Sequence, residues 1–312
     1  MPLVPFRRLL ADASRRGYAL GYFESWNLES LQGVVDAAEE TRSPVILGFN
    51  GGFLSDRTRR SEERLSWYAA LGRAAAESSS VPCGLLFNEC PDDRRVRMAI
   101  DLGFNLIMPA DPAASLPDYT ARVARLVEYA QTRDVAVEAE LGELPAGSPG
   151  HGTPDGSPTD PDQAAAFVAA TGIDLLAVSI GNVHVSLSGT RGLDLPKLER
   201  IRCRAGVPLA LHGGTGIDSA SLREAVARGV AKVNFGTYLK QHYLRAVKSL
   251  LDRECSDPHR RLGMGGKEDV LVAGRQAVRE AVLERIERLG CCGRADDFGP
   301  SVPGEEPRWT FR

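Results

Sequence analysis

Short apolar runs recur along the chain, each bounded by polar or glycine-rich residues, at 19–23, 45–49, 81–87, 104–108, 135–141, 175–180, 207–211 and 231–235. The runs are continuous rather than alternating, as in strands covered on both faces of a parallel sheet. Between them lie segments with apolar residues at helical spacing. Residues 27–41 set Leu28, Leu31, Val34, Val35 and Ala38 on one stripe, 56–78 are alanine-rich, and 117–132 place Tyr119, Val123, Leu126 and Ala130 in register. Residues 160–171 open on a capping side chain followed by Pro161, and 218–229 and 237–252 follow the last two runs. Eight β-runs alternating with helices predict an α/β fold, a (β/α)8 TIM barrel over residues 1–254. A doubly wound open sheet would carry a G-x-G-x-x-G fingerprint after its first strand, and none is present. Beyond the barrel the pattern predicts a C-terminal helical extension over 255–297, with a glycine-rich turn at 262–266 and a long helix over 269–289, packed on the barrel or on a partner subunit. A proline-rich tail, 298–312, closes the chain.

Composition narrows the function classes. Of 312 residues 43% are hydrophobic and 25% charged, which is ordinary globular usage. The formal charge of −3 offers no basic excess for nucleic acid. No apolar run approaches the roughly 20 residues a membrane helix needs. The first residues lack a signal-peptide core, so a cytoplasmic protein is expected. The six cysteines, Cys83, Cys90, Cys203, Cys255, Cys291 and Cys292, do not form a disulfide framework.

Chemistry in such barrels sits at the C-terminal ends of the strands. Glu24, Asn50, Asn88, Glu89, Asp111, Glu140, His184, His212 and Asn234 all follow or close an apolar run. Two of only five histidines, His184 and His212, end neighbouring strands and are natural ligands for zinc or another divalent ion. A third ligand is needed; Glu89 is the first candidate and Glu140 the second. The segments His212-Gly213-Gly214-Thr215-Gly216 and Val233-Asn234-Phe235-Gly236-Thr237 each follow a strand and precede a helix, where barrel phosphate sites are commonly built. The long Gly/Pro-rich loop 142–158 carries His151 and Asp155, which reach a substrate only if the loop closes. Asp111, His242, His259 and Cys90 are read as turn, packing or surface residues.

Together these segments resemble the class II (metal-dependent) ketose-bisphosphate aldolases, the fructose- and tagatose-bisphosphate group. The resemblance runs from about Pro5 to Arg294. It rests on Tyr18-Ala-Leu-Gly with Asn27-Leu-Glu-Ser-Leu-Gln32, Val137-Glu-Ala-Glu-Leu-Gly142, Thr159-Asp-Pro161, His184 after Ala177-Val-Ser-Ile-Gly181, Leu211-His-Gly-Gly-Thr-Gly-Ile217 and Lys232-Val-Asn234. It implies a dimeric or tetrameric barrel, a zinc ion held by three histidines, and a sugar-phosphate substrate handled through an enediolate. Two of those histidines match His184 and His212, and Glu140 matches a glutamate that holds the metal in a second position. Gly213, Thr215, Asn234 and Thr237 match phosphate- and substrate-binding positions.

The departures are central. Where the family strand ends His-Leu-Asp-His, this chain reads Leu86-Phe-Asn88-Glu89. Asn88 replaces the catalytic acid/base, and an amide cannot shuttle a proton. Glu89 replaces a zinc histidine and adds negative charge, favouring a harder metal. Glu24 stands at a family asparagine, Val185 at a glycine, Ser188 near a phosphate-assisting lysine and Gly236 at an aspartate. The expected function is therefore an aldolase-like lyase with a relocated acid/base role, taken up by Glu24 or Glu89. The alternatives are an inactive sugar- or phosphate-binding barrel, or an isomerase or epimerase using the same enediolate.

Overall fold

The computed structural model describes residues 3–145, 156–183 and 189–299. Eight strands, β1 (Leu20–Phe23), β2 (Val45–Asn50), β3 (Cys83–Cys90), β4 (Leu106–Pro109), β5 (Ala136–Leu141), β6 (Leu175–Val178), β7 (Leu209–Leu211) and β8 (Val230–Phe235), close into one barrel in sequence order. Every pairing is parallel, including β1 with β8. All eight sit on the apolar runs, and the (β/α)8 barrel is the fold.

The helices are α1 (Phe6–Arg16), α2 (Leu28–Glu40), α3 (Gly51–Leu54), α4 (Leu65–Ser78), α5 (Asp93–Asp101), α6 (Leu116–Gln131), α7 (Pro161–Thr171), α8 (Leu195–Ala205), α9 (Ser219–Ala227), α10 (Thr237–Leu251), α11 (Pro258–Arg261) and α12 (Val270–Ile286). Local chemistry sets their starts. Asn27 and Ser30 form a reciprocal capping box at α2, and Asp160 caps α7 one residue before Pro161. The helix expected over 56–78 starts at Leu65 instead. The preceding Arg- and Glu-rich stretch has no apolar face to bury, and Asp56 folds its side chain onto the Thr58 backbone N–H at 2.6 Å, a turn. Five of these helices escape the apolar pattern, the single-turn α3 and α11 among them. In α5 only Val96, Ala99 and Ile100 are buried, in α8 only Leu198, Ile201 and Ala205, while α1 precedes the first strand.

The C-terminal extension returns to the barrel. α12 packs between α2 and α10. Gly33 permits the approach to α2, since a Cβ there would meet the Arg275 carbonyl oxygen at 2.6 Å. Arg275 grips Asp36 with two contacts of 2.6 and 2.7 Å. Ala19 donates to the Leu289 carbonyl at 2.9 Å, so the extension also meets the N-terminal end of β1. The 298–312 tail lies almost wholly outside the described residues, as do His151 and Asp155.

Candidate active site

The C-terminal end of β3 does not finish as a regular strand. Its register against β4 shifts between Phe87 and Cys90, and Glu89 holds φ at 52°. A glutamate in this left-handed region is held there by its surroundings, a condition that clusters at functional sites. Two devices hold it. Asn50, closing β2, donates from Nδ2 to Glu89 Oε2 at 3.0 Å. Arg122 of α6 donates to the carbonyls of Cys90 at 3.3 Å, Pro91 at 3.0 Å and Ala110 at 3.0 Å, and pairs with Asp93 at 2.5 Å. The chain leaving Glu89 is thereby tied to the end of β4. Asp111 sits 3.8 Å from the same arginine, and it accepts from the Ala113 backbone N–H at 3.3 Å, in keeping with the turn expected there.

His212, at the end of β7, is 1% exposed. Its Nε2 lies 2.9 Å from Glu138 Oε1 on β5. Its Nδ1 lies 3.3 Å from Glu89 Oε1 and 4.0 Å from Glu140 Oε2, with no hydrogen bond of good geometry. Burial lowers the affinity of this imidazole for a proton, but Glu140, Glu138 and Glu89 more than reverse that and push its pKa up to about 10. Beneath it Glu138 and Lys232 are both 0% exposed, with Nζ 2.8 Å from Oε2. Burial alone would raise Glu138, yet Lys232 and His212 hold it below the ordinary carboxylate value. Lys232 also donates to Asn234 Oδ1, fixing that amide.

On the opposite side, Glu24 at the end of β1 is ion-paired to Lys240 in the first turn of α10. Burial raises the Glu24 carboxyl, Lys240 opposes this and Glu89 adds to it, leaving the group above its ordinary value. Glu24, Asn88, Glu89, His212, Gly213, Thr215, Asn234, Gly236 and Thr237 line one pocket. Gly214 does not; a Cβ there would meet Phe235 at 2.7 Å, so this glycine lets the loop pack on β8. Glu140 flanks the pocket through His212. His184, Val185 and Ser188 lie outside the described residues.

Tyr22, Asn50, Phe53 and Lys240 also line the pocket, and Glu138 and Lys232 underlie it; none was assigned a role from sequence. For Glu138 and Lys232 the signal was present. A charged residue at an inward position of an apolar strand must find a partner. For Lys240 it was fainter, a lysine one turn after Thr237.

Among the described residues no three His, Cys, Asp or Glu side chains converge into a complete metal-ligand set. The donors nevertheless suit a divalent ion. His212 Nδ1 is buried and lacks a hydrogen-bond partner, it faces two carboxylates, and its other nitrogen is anchored on a third.

The sequence matches the family described as fructose-bisphosphate aldolase class-II over residues 4–294. The chain belongs to this family. It is 32% identical over 302 residues to the fructose-bisphosphate aldolase of Staphylococcus aureus (strain Mu50), covering 95% of this chain and 100% of that one. The crystal structure of the YdjI aldolase from Escherichia coli K12 superposes with a TM-score of 0.76 at 32% identity, over 94% of this chain and 99% of that one. Fructose-bisphosphate aldolase from Campylobacter jejuni, at 21% identity and TM-score 0.71, shares the fold over 92% of this chain and 94% of that one. Membership of the class II aldolases supports an aldolase-like lyase activity, in a family that is typically metal-dependent. No helix among the described residues is long and apolar enough to cross a membrane.

Proposed function

We propose that this chain is a metal-dependent aldolase that cleaves a carbon–carbon bond of a ketose phosphate or related sugar, with Glu24 as the proton acceptor. The observation that carries the reading is His212, buried, fixed at Nε2 by Glu138 and presenting Nδ1 to Glu89 and Glu140. Glu138 accepts the Nε2 proton, so an arriving ion would displace only the proton on Nδ1, the nitrogen that faces Glu89 and Glu140. His212, Glu89 or Glu140, and His184 would hold Zn2+ or another divalent ion. When bound, the ion supplies a Lewis acid that polarises the ketone and stabilises an enediolate.

The remaining steps belong to the protein. Glu24 takes the proton of the hydroxyl on the carbon that becomes the aldehyde. The O–H electron pair forms the new C=O, the carbon–carbon bond breaks, and its electron pair stays with the ketone fragment. Asn88 carries no exchangeable acid proton and serves as a hydrogen-bonding wall. The phosphate is expected at Gly213, Thr215, Gly236 and Thr237, where the N-cap residue Gly236 offers no side chain to α10, Thr215 Oγ1 accepts from the Tyr238 N–H at 3.3 Å, and the first-turn backbone N–H groups favour an anion. Lys240 stands at the same helix end. An incoming phosphate competes with Glu24 for that ammonium, and a carboxylate released from its cation binds protons more tightly.

The test is metal analysis of the purified protein with retro-aldol assays on fructose 1,6-bisphosphate and related phosphates. Turnover is expected with stoichiometric divalent metal, and Glu24→Gln is expected to lower kcat by roughly 10²-fold or more. Unchanged turnover in that variant would exclude Glu24 as the base. Bound metal without turnover on any phosphosugar would leave a binding barrel instead.

A further inference from the structure

Tyr22 stands apart from the other buried tyrosines. Tyr18 donates to Asp12 at 2.8 Å and Tyr119 donates to the Pro109 carbonyl at 2.9 Å. Tyr22 is 1% exposed, yet its hydroxyl has no hydrogen-bond partner. Buried hydroxyls are nearly always satisfied, so an orphan in a native site needs a reason. The reason is its position. Tyr22 pairs with Asn234 across β1 and β8, so the two side chains share the inner face of the barrel, and Tyr22 lies one inward position below Glu24. Its ring rests 5.4 Å from Lys232 Nζ, and the residue lines the same pocket as Asn88, Glu89 and His212. Asn88 Oδ1 and Asn234 Nδ2 are also buried without partners. The pocket thus offers a substrate one unspent O–H donor, one amide donor and one amide acceptor.

Resting on the aldolase reading, we propose that Tyr22 is a catalytic residue whose hydroxyl donates a hydrogen bond to the substrate oxygen that gives up its proton to Glu24. That oxygen gathers negative charge as its O–H bond breaks and loses it as the C=O forms. Tyr22 keeps its own proton throughout, so the step needs no further acid. Burial and the fields of Glu24, Glu89 and Glu138 hold the phenol protonated far above its ordinary range, consistent with a donor that does not ionise. A donor aimed at developing charge in a dry site acts on the transition state more than on the bound substrate. The chain has an amide, Asn88, where an acidic proton carrier is expected, and Tyr22 returns an O–H group to the pocket.

The experiment is Tyr22→Phe, which removes one oxygen atom and keeps the ring, assayed for kcat, KM and thermal midpoint beside the wild type. The proposal expects kcat to fall about 10- to 100-fold with KM within about twofold, because one charge-stabilising donor has been removed. It expects the midpoint to stay or rise, because an unsatisfied buried hydroxyl has been deleted. A wild type that turns over while the variant stays within twofold in kcat overturns the role of Tyr22 and leaves the aldolase reading standing. A midpoint that drops in step with activity overturns it in favour of a structural hydroxyl. A wild type inactive on every ketose phosphate removes the aldolase reading, and this role with it.

Discussion

Glu89 shows how a single residue can hold structure and chemistry in tension. Its φ of 52° costs on the order of 1–3 kcal/mol for a side chain with a Cβ, and Asn50 and Arg122 hold it there. Glu89→Gly is expected to leave stability unchanged or raise it by about 1 kcal/mol, measured by denaturant unfolding. The same variant is expected to lose metal affinity by tenfold or more in a titration, as removal of a carboxylate from the donor set. A loss of stability without loss of metal would show that the residue serves packing alone. At this scale the sequence was half legible. His212, Glu89, Glu140 and Glu24 were visible because polar residues ending apolar runs are conspicuous in a barrel. Asn50 was visible as a strand-end residue without a function. Tyr22 was hidden inside a run, where an aromatic ring reads as core, whereas the charge of Lys232 in such a run was a signal without an assigned role.

At the scale of elements, strands were more legible than helices. Both faces of a barrel strand are buried, so each prints as a solid apolar run. A helix such as α5 or α8 buries only a few residues and surrounds them with arginine, leaving little pattern to find. The C-terminal extension was legible through its turn and its long helix, and one side chain joins them. Asp269 is 1% exposed, caps α12 at Leu271, and accepts from Gly263 and Gly265 at 2.8 Å each. Burial works against its charge, but these backbone N–H donors win and hold its carboxyl below the ordinary 3.8. A carboxyl lowered by folding contributes stability that is present above its unfolded value and is lost as pH falls through the folded one. Asp269→Asn is therefore expected to flatten the part of the acid-unfolding curve that lies below about pH 4. Asp269→Ala is expected to cost roughly 1 kcal/mol at neutral pH, as loss of a helix cap. Urea melts across pH would check both, and an unchanged acid limb in the asparagine variant would refute the assignment.

For the whole molecule, the mouth of the barrel gathers Glu89, Glu138 and Glu140 around His212 and sets Glu24 across the pocket, with Lys232 and Lys240 as counter-charges. A divalent ion would relieve the repulsion among carboxylates that folding imposes. Free metal at about 100 times its Kd is then expected to stabilise the protein by about 2.7 kcal/mol, and chelation to lower the melting midpoint by several degrees. Calorimetry with and without chelator checks this, and identical midpoints would count against a resident ion.

The barrel closes β1 onto β8, and Leu289, Gly293 and Ala295 then add backbone bonds to Ala19, Thr41 and Arg42. The first strand to leave the ribosome therefore waits for the last one. Until residue 230 has emerged the nascent chain holds seven strands and two unpaired edges, the surfaces through which sheets aggregate. A truncated product ending before β8 would leave the edges of β1 and β7 open permanently.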